Sequence, residues 1–187
     1  NLKRCIILVT LLVLVPGFAF AADTWIMYYT RTGNNKTIAE HIQSKMPAAH
    51  LVEIKSNDDR SGIMGFISSM LDQWLDRDTA ITVEDIQPAA DDTVIMCVPI
   101  WLQQLSSPPR TFIKQGKLKG MKMHLFITFG GKLNEEKQKL LETWVRDQGI
   151  DLQGVYGSGV GGKTPEDIKK LIDEYLAKAG LIAAVAR

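Results

Sequence analysis

Short apolar runs alternate with amphipathic stretches along almost the whole chain. Thr24–Tyr29 (TWIMYY) is β-prone and predicts a first strand. From Lys36 to Met46, Ile38, Ile42 and Met46 recur at four-residue spacing with Ala39 on the same flank, which predicts an amphipathic helix stopped by Pro47. His50–Lys55 predicts a short second strand. Ile63, Phe66, Ile67, Met70, Leu71, Trp74 and Leu75 then mark a second helix, with Trp25 and Trp74 expected to pack in the core or against a helix. Beyond the Thr- and Val-containing Ile81–Val83 and the polar Ala89–Asp92, Thr93–Val98 (TVIMCV) is continuously apolar, as in a strand covered on both faces. Pro108–Pro109 can open a helix around Thr111–Gln115, because proline is tolerated in a first turn. Met121–Thr128 predicts a fourth strand. Asn134 is placed to cap a helix over Glu135–Asp147, with Leu140, Leu141, Trp144 and Val145 expected inward. Ile150–Tyr156 predicts a fifth strand. Thr164 and Pro165 start a last helix through Ala179, ended by Gly180, and Thr164 with Asp167 matches a capping box.

Five strands alternating with helices predict an α/β fold, a parallel sheet with helices on both faces. In such sheets ligands bind outside the carboxyl ends of the strands, where the strand order reverses. The loops expected to meet there are Thr30–Asn35, Pro99–Ser107 and Phe129–Lys132.

The first 22 residues have another character. Lys3 and Arg4 give a basic start, Cys5–Val15 is almost unbroken Ile, Leu and Val, Pro16–Gly17 ends the run, and Ala19-Phe20-Ala21 offers small residues at the two positions that a signal peptidase reads. That order predicts a signal peptide over 1–22, followed by one domain over 23–187, and so an exported protein, periplasmic or extracellular. The apolar run is shorter than the ~20 residues of a spanning helix, so no membrane association is expected after cleavage. Without Lys3 and Arg4 the net charge goes from +1 to −1. A near-neutral chain with no basic tract excludes a nucleic-acid binder. Cys97 then remains alone, so the fold must stand on its core without an internal disulfide; inside an apolar run, Cys97 reads as a buried filler. His41, His50 and His124 have no partner at metal-ligand spacing, so no metal site is expected. Asp58-Asp59 and Asp91-Asp92 read as solvated loop charges.

The chemistry lies in the three loops. Thr30-Arg31-Thr32-Gly33-Asn34-Asn35 joins a strand to a helix start, where converging N–H groups and the helix dipole favour an anion. Gly33 lets the backbone curl closely around it, and the hydroxyls and amides can donate further bonds to phosphate oxygens. The turn lacks both the Gly-Lys-Ser/Thr ending of a P-loop and the GxGxxG of a dinucleotide site; its plain alternative is a polar turn with a helix cap. Pro99-Ile100-Trp101 directly follows the core strand and offers a flat ring an apolar face, or simply packs Trp101 on the next helix. Thr128-Phe129-Gly130-Gly131 repeats the arrangement, with paired glycines that let backbone donors approach a ligand edge and Phe129 as a second apolar wall. No catalytic residue stands out.

Tyr28–Asn35 resembles the phosphate-loop signature of the flavodoxin-like family. Pro99–Phe112 (PIWLQQLSSPPRTF) is similar to its second flavin loop and following helix, and Leu125–Gly131 to its third. The resemblance covers nearly all of Asp23–Ala179. It implies a flavodoxin-like three-layer sandwich with a five-stranded parallel sheet of order 2-1-3-4-5, holding FMN. It also implies that Thr30, Thr32, Asn34 and Asn35 hold the 5′-phosphate with Arg31 at the rim. Ile100, Trp101 and Leu102 would border the isoalloxazine, and Thr128, Phe129, Gly130 and Gly131 would close its other side. The sequence departs from the family at Asn35, where Thr or Ser is usual, and at Gln103 and Gln104, where Gly-Thr is usual. The function implied is an FMN-binding redox protein, an electron carrier or a small reductase, with a redox partner protein or a small quinone-like acceptor. The departures motivate an alternative, a flavodoxin-shaped module that has lost flavin and binds another phosphorylated or planar ligand or a protein. Neither whether it is an enzyme nor its oligomeric state is legible in the sequence.

Overall fold

The computed structural model describes residues 22–58, 60, 62–161 and 163–183. The expected signal segment, Ala22 apart, lies outside them, as does Asp59.

Five long strands form a wholly parallel ladder: β1 (Thr24–Tyr28), β2 (His50–Glu53), β5 (Thr93–Trp101), β7 (Lys122–Phe129) and β8 (Asp151–Gly159). Their order is β2-β1-β5-β7-β8, which is 2-1-3-4-5 among the long strands. Alternation explains the continuous apolar runs. Val94, Met96, Val98 and Ile100 of β5 face one core with Phe112, Ile113, Leu141 and Val145. Ile95 and Cys97 face the other with Ile38, Ile42, Ile172 and Leu176. Helices α1 (Asn34–Lys45) and α5 (Pro165–Lys178) therefore cover one face, while α3 (Ser107–Lys114) and α4 (Glu135–Asp147) cover the opposite one. Asn134 caps α4 by accepting from the Glu136 amide, and Thr164 and Asp167 make the full capping box of α5. Cys97 is fully buried, and burial pushes its thiol pKa up.

Several expectations need correction. β5 runs on through Trp101 and folds back as β6 (Gln104–Leu105), pairing Ile100 with Leu105 and Trp101 with Gln104. The two turn residues, Leu102 and Gln103, both have positive φ (48° and 64°). That is the geometry of a tight two-residue hairpin, which usually recruits Asn-Gly. The short β3 (Lys55–Ser56) splits from the second strand and pairs antiparallel with β4 (Ile81–Thr82). Asp92 is buried, not solvated: it accepts from the Trp25 indole at 2.8 Å and from the amides of Asp23 and Ala89, each at 2.8 Å. Burial alone would raise its carboxyl pKa, but these donors outweigh burial and hold it below the usual range. Leu140 is exposed and Trp144 only half-buried.

The largest departure is helix α2 (Gly62–Trp74), whose buried residues are Gly65, Ser69 and Gln73. Its apolar side, Trp74 included, faces solvent. The cause lies outside the helix. The buried Arg60 guanidinium donates to Ser69 at 3.1 Å, Asp72 at 2.8 Å, Thr79 at 2.9 Å and, through Nε, Ser56 at 2.9 Å. The Gln73 amide donates to the Leu105 carbonyl at 2.8 Å. Satisfying a buried cation outweighs burying the apolar stripe, because an unpaired interior charge costs several kcal/mol. Gly65 is obligatory here, since a Cβ would fall inside the Arg60 backbone. Gly65→Ala should therefore lower the melting temperature, overriding the ~1 kcal/mol that alanine gains in helix propensity; a raised melting temperature would refute this packing.

Candidate functional site

The carboxyl ends of β1, β5 and β7 meet beside the start of α1, as the reversal in strand order requires. A cavity of about 210 Å³ lies there, lined by Thr30, Arg31, Thr32, Asn34, Asn35, Pro99, Ile100, Trp101, Thr128, Phe129, Gly130 and Val160. Eleven of these twelve are residues singled out from the sequence. Val160 was missed, although the carboxyl end of the fifth strand is an equivalent position that could have found it. Gly33 takes the cap of α1 instead of lining the cavity, and Gly131 lies just outside the lining. Leu102 and Gln103 turn away toward a second cavity.

The turn before α1 is organised from within. The Gly33 amide donates to Thr30 Oγ1 at 2.9 Å, and Gly33 is left-handed at φ 89°. No side chain caps the helix, so its first-turn amides have neither an intrahelical partner nor a side-chain acceptor. Such a helix start attracts an anion, with about half a positive charge added by the helix dipole. Asn35 is buried, and its Oδ1 accepts from Thr128 Oγ1 at 3.2 Å, joining the first loop to the third. Arg31 lies over the Phe66 ring, 5.3 Å from its centroid, a cation–π contact that holds a positive charge at the rim. Beneath the cavity Trp101 meets Tyr29 edge-on, with centroids 5.9 Å apart. Burial pushes the Tyr29 phenol up to about 12, although Arg60 and Arg31 pull it down. It stays neutral and sets no negative charge against an incoming anion.

Gln103 crosses between loops. Its Nε2 donates to the Lys132 carbonyl at 2.9 Å, and its Oε1 accepts from the Asn134 amide at 2.9 Å. Gln104 instead accepts from Gln73 at 3.3 Å and Arg110 at 3.4 Å. Behind this hairpin lies the larger cavity of about 450 Å³, walled by Trp74, Leu102, Leu105, Leu140, Leu141 and Trp144, with Arg110 and Lys137 as its cations. The sequence did not show it, because Leu140 and Trp74 were expected inside the core.

The histidines serve packing and pairing. His41 lies 2.8 Å from Asp173, His50 stacks on Trp25 at 4.3 Å, and His124 is buried beside Tyr156. Among the described residues no cluster of three metal-ligating side chains occurs, and no helix is long and apolar enough to cross a membrane.

No protein-family model and no curated protein matches the sequence. Solved structures do match. A flavoprotein from Lactobacillus acidophilus, crystallised in complex with FMN, superposes with a TM-score of 0.62 at 24% identity, covering 73% of this chain and 93% of its own. The chain has the flavodoxin fold. General stress protein 14 of Treponema denticola, also in complex with FMN, gives a TM-score of 0.51 at 11% identity over 85% of this chain and 98% of its own. A flavodoxin, WrbA-like protein of Agrobacterium tumefaciens gives 0.50 at 12% identity over 86% and 97%. The flavodoxin fold thus accounts for the strand order and for where the three loops meet.

Proposed function

We propose that this protein binds FMN and works as an exported redox protein, a carrier or small reductase that passes electrons to a partner protein or a quinone-like acceptor. The observation that carries the reading is the uncapped start of α1 opening on a cavity walled by Trp101 and Phe129. Two structures of the same fold hold FMN, which supports it. The phosphate end fits the group well. Thr30, Thr32, Asn34 and Asn35 would hold the phosphate, with Arg31 at the rim. A volume of about 210 Å³ is below the ~300 Å³ at which pockets enclose a ligand of this size. The ring would therefore lie at the open side, where Trp101 and Phe129 supply apolar faces. When bound, the flavin supplies the electron transfer. The protein contributes phosphate anchoring, an apolar contact and backbone donors near Gly130 that tune the potential.

Titration of the purified protein with FMN and riboflavin, followed by flavin fluorescence, tests this. FMN should quench at micromolar concentrations and bind at least ~10-fold tighter than riboflavin, because only FMN engages the helix start. No quenching at tens of micromolar FMN would remove the reading. Trp101→Ala should weaken both ligands by a similar factor, since it removes ring contact alone; a loss confined to FMN would contradict that role.

One observation favours the alternative of a module that has lost flavin. The Gln103 carboxamide already satisfies both the Lys132 carbonyl and the Asn134 amide, groups on the loop that would border the ring. The same titration decides between the two.

A further inference from the structure

From the outward face of α2 we infer that the protein pairs with a second copy of itself, helix against helix. This goes beyond the flavin reading and does not depend on it. Ile63, Met64 and Trp74 are 78%, 77% and 76% exposed, and Phe66, Ile67, Leu71 and Leu75 are each nearly half exposed. At about 200 Å² for a large side chain, this leaves roughly 800 Å² of apolar surface on one helix and its end. A monomer's largest apolar patch is usually about 300–600 Å², whereas each partner in a stable complex contributes about 800 Å². The area is that of one half of a dimer.

The exposure is fixed by the fold. Rotating α2 to bury its stripe would strip Arg60 of Ser69 and Asp72, part Gln73 from Leu105, and drive a side chain into the Arg60 backbone at the place of Gly65. The apolar face can be covered only from outside.

The chemistry of the face selects the occupant. Helix α2 has no lysine or arginine, and Asp72, its one acid, is held by Arg60. Helices that lie in lipid headgroups flank their apolar face with Lys and Arg, and charge complementarity is what picks out an unlike partner. The helix itself supplies neither, and the cation that does meet this face, Arg31, is already engaged on the Phe66 ring. It does have apolar pairs at both ends, Ile63 with Met64 and Trp74 with Leu75, and Ile67 with Leu71 between them. Laid antiparallel on a copy of itself about a two-fold axis near Ile67–Leu71, each end pair meets the opposite end pair. An isologous contact requires that self-complementarity.

Sedimentation velocity on the full chain from about 1 to 100 μM tests the inference. The expected species has twice the mass of one chain, and Ile63→Glu or Trp74→Glu should weaken its association at least 30-fold. Both side chains are mostly exposed, so unchanged circular dichroism and melting of the dilute monomer should accompany the loss. Ile67→Cys, near the proposed axis, combined with Cys5→Ser should give a disulfide-linked dimer on mild oxidation, while Cys5→Ser alone should not, a readout that holds if a glutamate variant fails to fold. A monomer at 100 μM, or a dimer indifferent to both glutamate variants, overturns the proposal. So does a monomer that floats with phosphatidylcholine vesicles through this face.

Discussion

Asn35→Asp is expected to abolish FMN binding at working concentrations while leaving riboflavin affinity within about threefold. Asn35 is 2% exposed, lies in the first turn of α1 and is tied to Thr128. The change keeps its shape but puts a carboxylate where the phosphate would sit. Two like charges ~4 Å apart repel by about 4 kcal/mol at an effective dielectric constant near 20. After partial relaxation, a loss of at least ~100-fold for FMN is expected. Paired titrations with the two flavins check it, with circular dichroism confirming the fold. An equal loss of both flavins would move the phosphate away from this turn.

Arg60→Met should be the most damaging single change to stability. The Arg60 side chain is 4% exposed and bonds side chains within α2 and on the segments before and after it. Methionine fills much of the volume but strands the Asp72 carboxylate and the Ser69 and Thr79 hydroxyls. Breaking a buried pair from one side costs about 3–5 kcal/mol. At about 2–4 °C per kcal/mol for a domain of this size, the melting temperature should fall by roughly 6–20 °C. Amide exchange should show α2 losing protection ahead of the sheet, because Arg60 holds the helix and not the strands. Arg60→Lys should recover only a part, since an ammonium lacks the planar fork that reaches these partners together. A melting temperature within 2 °C of the parent would show that the hub carries little stability.

Most of the strand order was legible because it follows from burial on both faces. Thr93–Val98 has no polar residue after its first position, and only a central parallel strand has use for that. The site loops were legible for a topological reason: once the strands are known, their carboxyl ends are known. What escaped depends on partners distant in sequence. The wheel of α2 shows its apolar stripe correctly, but whether the stripe faces in or out is decided by Arg60, a residue outside the helix. Asp92 looked like a loop charge because its main donor, the Trp25 indole, lies 67 residues away. The hairpin at Leu102–Gln103 was hidden because neither residue is a natural choice for a left-handed backbone. Left-handed strain of this kind costs about 1–3 kcal/mol per residue and tends to persist at functional sites. Leu140 was misread because the larger cavity interrupts the packing that its helical period would otherwise dictate.

The β3–β4 ribbon has a consequence for how the α2 excursion is held. Lys55 faces Thr82 and Ser56 faces Ile81, so the strands at either end of the α2 excursion run side by side, about 5 Å apart as in any ladder. Everything between them leaves the sheet and returns to nearly the same point. Because the ribbon closes this loop at its neck, Thr79 is brought back to Arg60 at a smaller loss of chain entropy than an open excursion of the same length would carry. The excursion is therefore one unit, clasped at its base by two short strands and pinned inside by a buried guanidinium.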